Sequence, residues 1–266
     1  IYDRQAAVNS ILLGCSVGVA GTVLGFIFAF AVTRLSLPKW LCAAVSAVTL
    51  LPLISPPFTS SIALTLSLGP NGILLDFFGL GNFNFYGFWG TFISETLTFF
   101  PVAFMTLSTI LARIDPNLED AAYSLGASSF KVFRTVTLPL AAPGIANAFL
   151  LVFSCSLADF ATPQVLGGHS FPVLPTQAYL VITGMYDFKG GAALSFMLLI
   201  PAIIVYSLQR WWVGKKSYVT VSGKAGGRSS VKGPGPLLSS VIVATVAVVI
   251  AFILYLYAII LTGSLV

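Results

Sequence analysis

Long apolar stretches separated by short polar ones set the rhythm of this chain. Residues 5–33 carry no charge, nor do 40–75, 135–158, 160–186, 190–209 and 233–266, and 77–112 carries one, Glu95. A helix that crosses a bilayer needs about 20 mainly apolar residues. The pattern therefore predicts spanning helices near 8–33, 41–66, 87–112, 139–159, 191–212 and 237–262. Transmembrane strands would alternate in polarity over about ten residues; these runs are continuous. The expected fold is an all-α polytopic membrane protein with about six transmembrane helices in this chain.

Composition sharpens the picture. Of 266 residues, 57% are hydrophobic and 8% charged, against about 25% charged in soluble domains. Mean hydropathy is +0.98. The 13 Lys/Arg and 8 Asp/Glu side chains cannot cover a soluble globule of this size,. A disordered chain, a disulfide scaffold and a nucleic-acid binder are excluded as classes. Cys15, Cys42 and Cys155 fall in apolar runs and read as small buried hydrophobes,.

The placement of the positive charge matters more than its sum. Arg34, Lys39, Arg113, Lys131, Arg134, Arg210, Lys215, Lys216, Lys224, Arg228 and Lys232 fall at one set of helix ends, and Arg4 and Lys189 at the other. By the positive-inside rule the first set is cytoplasmic. The connections 67–86 and 160–190 then face outward. Ile1 is not an initiator Met, and the chain stops at Val266 directly after an apolar run. A fragment of a longer polypeptide is expected, with a first unit over 1–215, a Gly/Lys/Ser/Pro-rich flexible linker over 216–236, and the opening helix of a second unit over 237–266.

Within the spans, Gly14, Gly18, Gly21 and Gly25 form small-xxx-small steps that allow close helix contact,. Gly14-Cys15-Ser16-Val17-Gly18 also satisfies G-x-S-x-G, but a nucleophile elbow needs a strand–turn–helix setting and a histidine partner. The sole histidine, His169, belongs to an outer connection, so packing is the reading. Pro52, Pro56 and Pro57 must kink or break the second helix near its outer half,. Such breaks line pathways in transporters and also serve ordinary packing; both readings stand. Glu95, at membrane depth, is a functional candidate or a hydrogen-bonded structural acid. Asp159, at the outer end of the fourth helix, either caps the next segment or sits at the mouth of a pore. Phe83, Phe85, Tyr86, Phe88, Trp89 and Tyr186 suit an interfacial belt,. No metal-ligand cluster is present, and Gly214-Lys215-Lys216-Ser217 lacks the spacing of a phosphate-binding loop,.

The stretch between the third and fourth helices is the most informative. Asp115 is a good N-cap, Pro116 suits the first helical position, and Glu119 and Asp120 follow close to the start,. Gly126 supplies a left-handed stop. Ser128 or Ser129 can cap a second short helix, expected to end before Pro139. Two short helices joined at a glycine, with small residues at Ala121, Ala122 and Gly126, make a shape that another surface can approach closely.

This stretch resembles the EAA loop of binding-protein-dependent ABC importer permeases: an acid and two alanines, three residues, Gly, nine residues, then an aliphatic residue, any residue and Leu-Pro. Here these are Asp120-Ala121-Ala122, Gly126 and Val136-Thr137-Leu138-Pro139, with every spacing kept. The departures are Asp for the usual Glu, although Glu119 precedes it, and Val for Ile. The resemblance covers about residues 5–215, a five-helix core of the type I class. It implies a transport subunit of a bacterial cytoplasmic (inner) membrane, not an enzyme. It also implies two copies of a separate ATPase subunit that uses ATP and Mg, an extracytoplasmic substrate-binding protein, and a second permease unit in the same polypeptide. The first short helix would be the coupling helix, making Glu119, Asp120, Ala121, Ala122, Ser124, Leu125, Gly126, Leu138 and Pro139 the ATPase-coupling residues. In the six-helix version a further helix precedes the core; 237–262 would play that part for the second unit.

A two-unit permease is similar to ferric-iron importers and also to thiamine importers, and Ser156-Leu157-Ala158-Asp159-Phe160-Ala161-Thr162-Pro163-Gln164-Val165-Leu166-Gly167-Gly168 looks like the iron(III) branch, with polyamine permeases near. The expected cargo is iron(III), with Glu95 and Asp159 as substrate-pathway candidates and thiamine or a polyamine as alternatives. A different class, an ion-coupled secondary transporter, would use the same acids and would not need the loop.

Overall fold

The computed structural model describes residues 2–56, 58–70, 72–77, 79, 85–168, 170–215 and 235–264. Pro57, Phe83, His169 and the linker over 216–234 lie outside the described residues. In chain order the helices are α1 (Tyr2–Arg34), α2 (Lys39–Ile54), α3 (Thr59–Leu68), α4 (Ile73–Phe77), α5 (Phe88–Arg113), α6 (Pro116–Ser124), α7 (Ser129–Val132), α8 (Leu138–Ala158), α9 (Leu174–Gly184), α10 (Phe188–Lys215) and α11 (Pro236–Gly263), with π-helical segments at Phe133–Thr137 and Pro163–Gly167. No strand occurs among the described residues.

Five helices are long and apolar enough to cross a membrane, and α2 with the helix after it forms an apolar pair bent by 97°, a broken span or a re-entrant loop. The bend follows Pro52 and Pro56, as the sequence expects: α2 ends at Ile54 and α3 begins at Thr59. A proline ring removes a backbone donor and crowds the preceding turn.

The centre is a trio. α1 and α5 run in the same direction, with Gly21 beside Phe100 and Gly25 beside Ala103 and Phe104. α8 runs the opposite way, its Phe153 against Gly14 and its Phe149 against Gly18. The G-x-S-x-G match is thus a packing seam, and Ser16 Oγ donates to Leu12 O within its own helix at 2.8 Å. Phe28 and Phe100 meet edge to face with ring centroids 5.1 Å apart, a favourable aromatic geometry. α5 is the most enclosed span, half of its most apolar window being buried, whereas α10 has 11% buried and lies at the periphery.

α11 packs on α2, α3 and α1. Ile253 and Leu256 are buried there, and Tyr255 shares a hydrogen bond with Ser67 at 3.2 Å. At the end of the bundle where α1 begins, Asn9 donates to Pro172 O at 2.9 Å and Ser10 Oγ accepts from the Leu174 amide at 2.8 Å. These bonds fasten the segment leading into α9 onto α1.

Four expectations need correction. The helix opening at Ser129 does not end before Pro139 but continues through the π segment into α8, giving one span over Ser129–Ala158. The Leu138 amide reaches Phe133 O there, and the wider turn changes the register that a proline ring would otherwise meet. The two connections expected as loops contain helices α4 and α9. Cys15 is exposed, since it faces away from α5 and α8. Phe85 is buried in the core beside Leu64, Leu97 and Leu166 rather than lying in an interfacial belt, while Trp89 and Tyr186 are exposed.

Candidate functional site

Two places carry chemistry. The first is the α6–α7 connection. Asp115 caps α6 by accepting from the Asn117 amide at 3.0 Å, with Pro116 at the first turn. Gly126 has φ +82°, a left-handed conformation that costs L side chains energy, and the Ala127 amide returns to Ala122 O at 3.1 Å. Ser128 caps α7 through the Lys131 amide at 3.4 Å.

These caps leave one surface open. Ala121, Ser124, Leu125, Gly126 and Pro139 are exposed, Leu125 to 89%, while Asp120, Ala122 and Leu138 are half-buried. Leu118 and Phe130 add exposed apolar area. A continuous apolar and small-residue surface on a short capped helix suits contact with another protein.

Glu119 behaves differently from its neighbours. Its carboxylate points inward and is buried. Its Oε1 pairs with Arg34 at 3.3 Å and accepts from Thr137 Oγ1 at 2.8 Å. Arg34 also donates to Leu111 O at 3.2 Å and Ile114 O at 3.5 Å, the carbonyls that close α5. Arg34 and Thr137 were missed as site residues. Arg34 reads in the sequence as a marker of sidedness, and no spacing rule pairs it with an acid so far along the chain.

The second place joins α5 to the end of α8. Glu95 is fully buried and accepts a short hydrogen bond from Ser156 Oγ. Asp159 follows α8, and its Oδ1 accepts from the amides of Ala161 at 2.9 Å and Thr162 at 3.4 Å. It therefore caps the next turn, one of the two roles open to it from sequence. Ser94, next to Glu95, meets Ser61 of α3 at 3.3 Å. Glu95 Oε1, Asp159 Oδ2 and Thr162 Oγ1 are buried without a hydrogen-bond partner among the described residues. Asp159 is half-buried with exposed neighbours, whereas Glu95 is fully enclosed. The structure brings the two carboxyls into one neighbourhood, and it adds Ser156, which the sequence did not single out. Carboxylate and hydroxyl oxygens are hard donors suited to hard cations. Among the described residues no group of three or more His, Cys, Asp or Glu is arranged to hold a metal ion.

The described helices form a multi-pass bundle with a capped helix pair at one end. Residues 21–218 match the model of the family described as binding-protein-dependent transport system inner membrane component, and the chain belongs to that family. It is 39% identical over 230 residues to a putative ferric transport system permease protein of Haemophilus influenzae, covering 84% of this chain and 36% of that protein. A ferric transport system permease protein of Actinobacillus pleuropneumoniae is 40% identical over 230 residues, covering 84% of this chain and 33% of that protein. The chain thus spans about a third of the length of these two relatives. A solved bacterial alginate ABC transporter, in complex with a periplasmic protein carrying an alginate pentasaccharide, superposes with a TM-score of 0.66 at 16% identity, covering 83% of this chain and 80% of that one. That likeness carries the fold.

Proposed function

We propose that this chain forms part of the translocation pathway of an ATP-driven importer of iron(III). The observation that carries the cargo is the 39–40% identity to ferric permeases, which extends over 84% of this chain. The α6–α7 connection supports the energy coupling. Its exposed face is built for docking, and it keeps every spacing of the EAA loop.

In this reading α6 is seated against one of two ATPase subunits, which bind and hydrolyse ATP with Mg. Asp120, Ala121, Ala122, Ser124, Leu125 and Gly126 form the contact, Leu138 and Pro139 open α8 behind it, and Glu119 anchors α6 from within. That face and the linker over 216–236 are cytoplasmic, in agreement with the positive-inside rule. A substrate-binding protein delivers cargo at the opposite face. A second permease unit, whose first helix is α11, completes the pathway in the same polypeptide. Glu95 and Asp159 offer the cargo oxygen ligands, with the less enclosed Asp159 meeting it first. Such a transit site works by weak, replaceable contacts, because tight ligation would retain the ion.

The test uses the full-length permease with its ATPase and binding protein in proteoliposomes, the binding protein loaded in turn with ferric iron, thiamine or putrescine. Stimulated ATP hydrolysis and uptake with iron alone is the expected result. A response to thiamine or putrescine would remove the iron assignment and keep the class. Uptake driven by an ion gradient without ATP would sink the coupling reading and favour a secondary transporter.

A further inference from the structure

We propose that Arg34, Glu119 and Thr137 form the joint that passes a displacement of α6 to the membrane-spanning trio. The inference rests on the coupling role proposed for α6. Arg34 is the last residue of α1, Leu111 and Ile114 close α5, Glu119 belongs to α6, and Thr137 ends the π segment that leads into α8. One guanidinium and one carboxylate therefore tie four elements together, through contacts of 3.3 Å between the charges, 3.2 and 3.5 Å to the α5 carbonyls, and 2.8 Å from Thr137.

The chemistry suits transmission better than mere adhesion. Both charged side chains are about 5% exposed, so solvent and salt screen them little. If α6 moved without Arg34, each would be left as an unpaired buried charge, the costly outcome for such a pair. The carbonyls at the end of a helix lack partners within it and carry the negative end of its dipole. Arg34 is thus held to α5 as well as to Glu119. An apolar contact would let the elements slide; directional charge-assisted bonds keep their register. Arg34 and Thr137 are positioning residues, acting on the ATPase contact only through Glu119 and α6.

The variants Thr137→Val and Arg34→Lys address the joint while leaving the exposed face of α6 intact. The first keeps shape and removes one bond; the second keeps charge and replaces Nη2, the one nitrogen that reaches all three oxygens, with a differently placed ammonium,. In proteoliposomes with the full-length permease, its ATPase and a binding protein loaded with ferric iron, ATP hydrolysed per iron imported is expected to rise about tenfold in each, as the loss of a hydrogen bond to a charged group predicts. Thr137→Ser is expected to restore the wild-type ratio. In the full-length permease alone, backbone amides over Asn117–Ser124 are expected to exchange about tenfold faster in Thr137→Val. An unchanged ratio in both variants, with normal coupling in the wild type, overturns the joint alone. Unchanged amide exchange overturns it as well, by showing that α6 is held elsewhere. Absence of iron-stimulated ATP hydrolysis in the wild type removes the coupling reading, and the joint with it.

Discussion

The hydroxyl of Tyr257 donates to Ser55 Oγ at 2.6 Å, tying α11 to the residue at which α2 ends. The contact places a polar bond beside the proline break, where helix-end groups lack regular partners. Tyr257→Phe keeps the ring and removes this bond. It is expected to lower stability by about 1 kcal/mol, read as a lower midpoint of thermal unfolding in detergent. An unchanged midpoint would show that α11 is held by its apolar contacts alone.

At Gly25 the backbones of α1 and α5 come close together. A Cβ there would lie 2.6 Å from Ala103 Cβ and 2.7 Å from the Phe104 amide nitrogen. Gly25→Ala must force the backbones apart, at a cost of about 1–3 kcal/mol. Adding Ala103→Gly removes the Cβ contact but not the backbone contacts with Phe104 N and Ala103 C, and is expected to recover part of the loss. Unfolding of both variants in a denaturing detergent series checks this, and a Gly25→Ala protein as stable as wild type would contradict the packing.

Gly126 differs from Gly25 in kind. Nothing lies within 4 Å of a Cβ placed on it, yet its φ is +82°. Gly126→Ala is therefore expected to cost about 1–2 kcal/mol through conformation alone, and Gly126→Asn less, since Asn tolerates this region better. Amide exchange across 116–128 measures the effect, and equal effects of Ala and Asn would argue against it.

Leu125 is 89% exposed, so Leu125→Asp is expected to leave stability within about 0.5 kcal/mol. If α6 docks on the ATPase, the same variant fails to co-purify with it. Normal co-purification would move the contact away from this residue.

Ser156→Ala takes the hydrogen-bond donor from Glu95, leaving the acid's Oε2 unsatisfied in a buried position. The expected loss is about 1–3 kcal/mol. Glu95→Gln retains an acceptor oxygen for Ser156, so the fold is expected to stay near wild type while iron uptake falls. Wild-type uptake by Glu95→Gln would make this acid structural and leave Asp159 as the pathway candidate.

Much of this architecture was legible because its causes are local. Apolarity summed over a span needs no partner to be read, Asp115 with Pro116 announces a helix start, and Pro52 with Pro56 announces a break. The continuation of the chain from Ser129 through Pro139 was not legible, because proline as a stop assumes an α-helical register and the π segment changes it. Glu119 was grouped with the docking residues by adjacency, whereas its burial depends on Arg34 arriving from a helix distant in sequence. Ser156 looked like one of many small hydroxyls in apolar helices. Only the approach of α8 to α5 shows that it meets Glu95.

The near contact at Gly25 has a consequence for motion. Where helices meet through interdigitated side chains, they can shear by small rotamer changes; where backbones meet, there is no such layer to rearrange. α1 and α5 thus form a keel. The bend between α2 and α3, the two widened turns that bracket α8 and the peripheral α10 lie outside that keel. A molecule built this way is expected to keep that axis when its periphery moves.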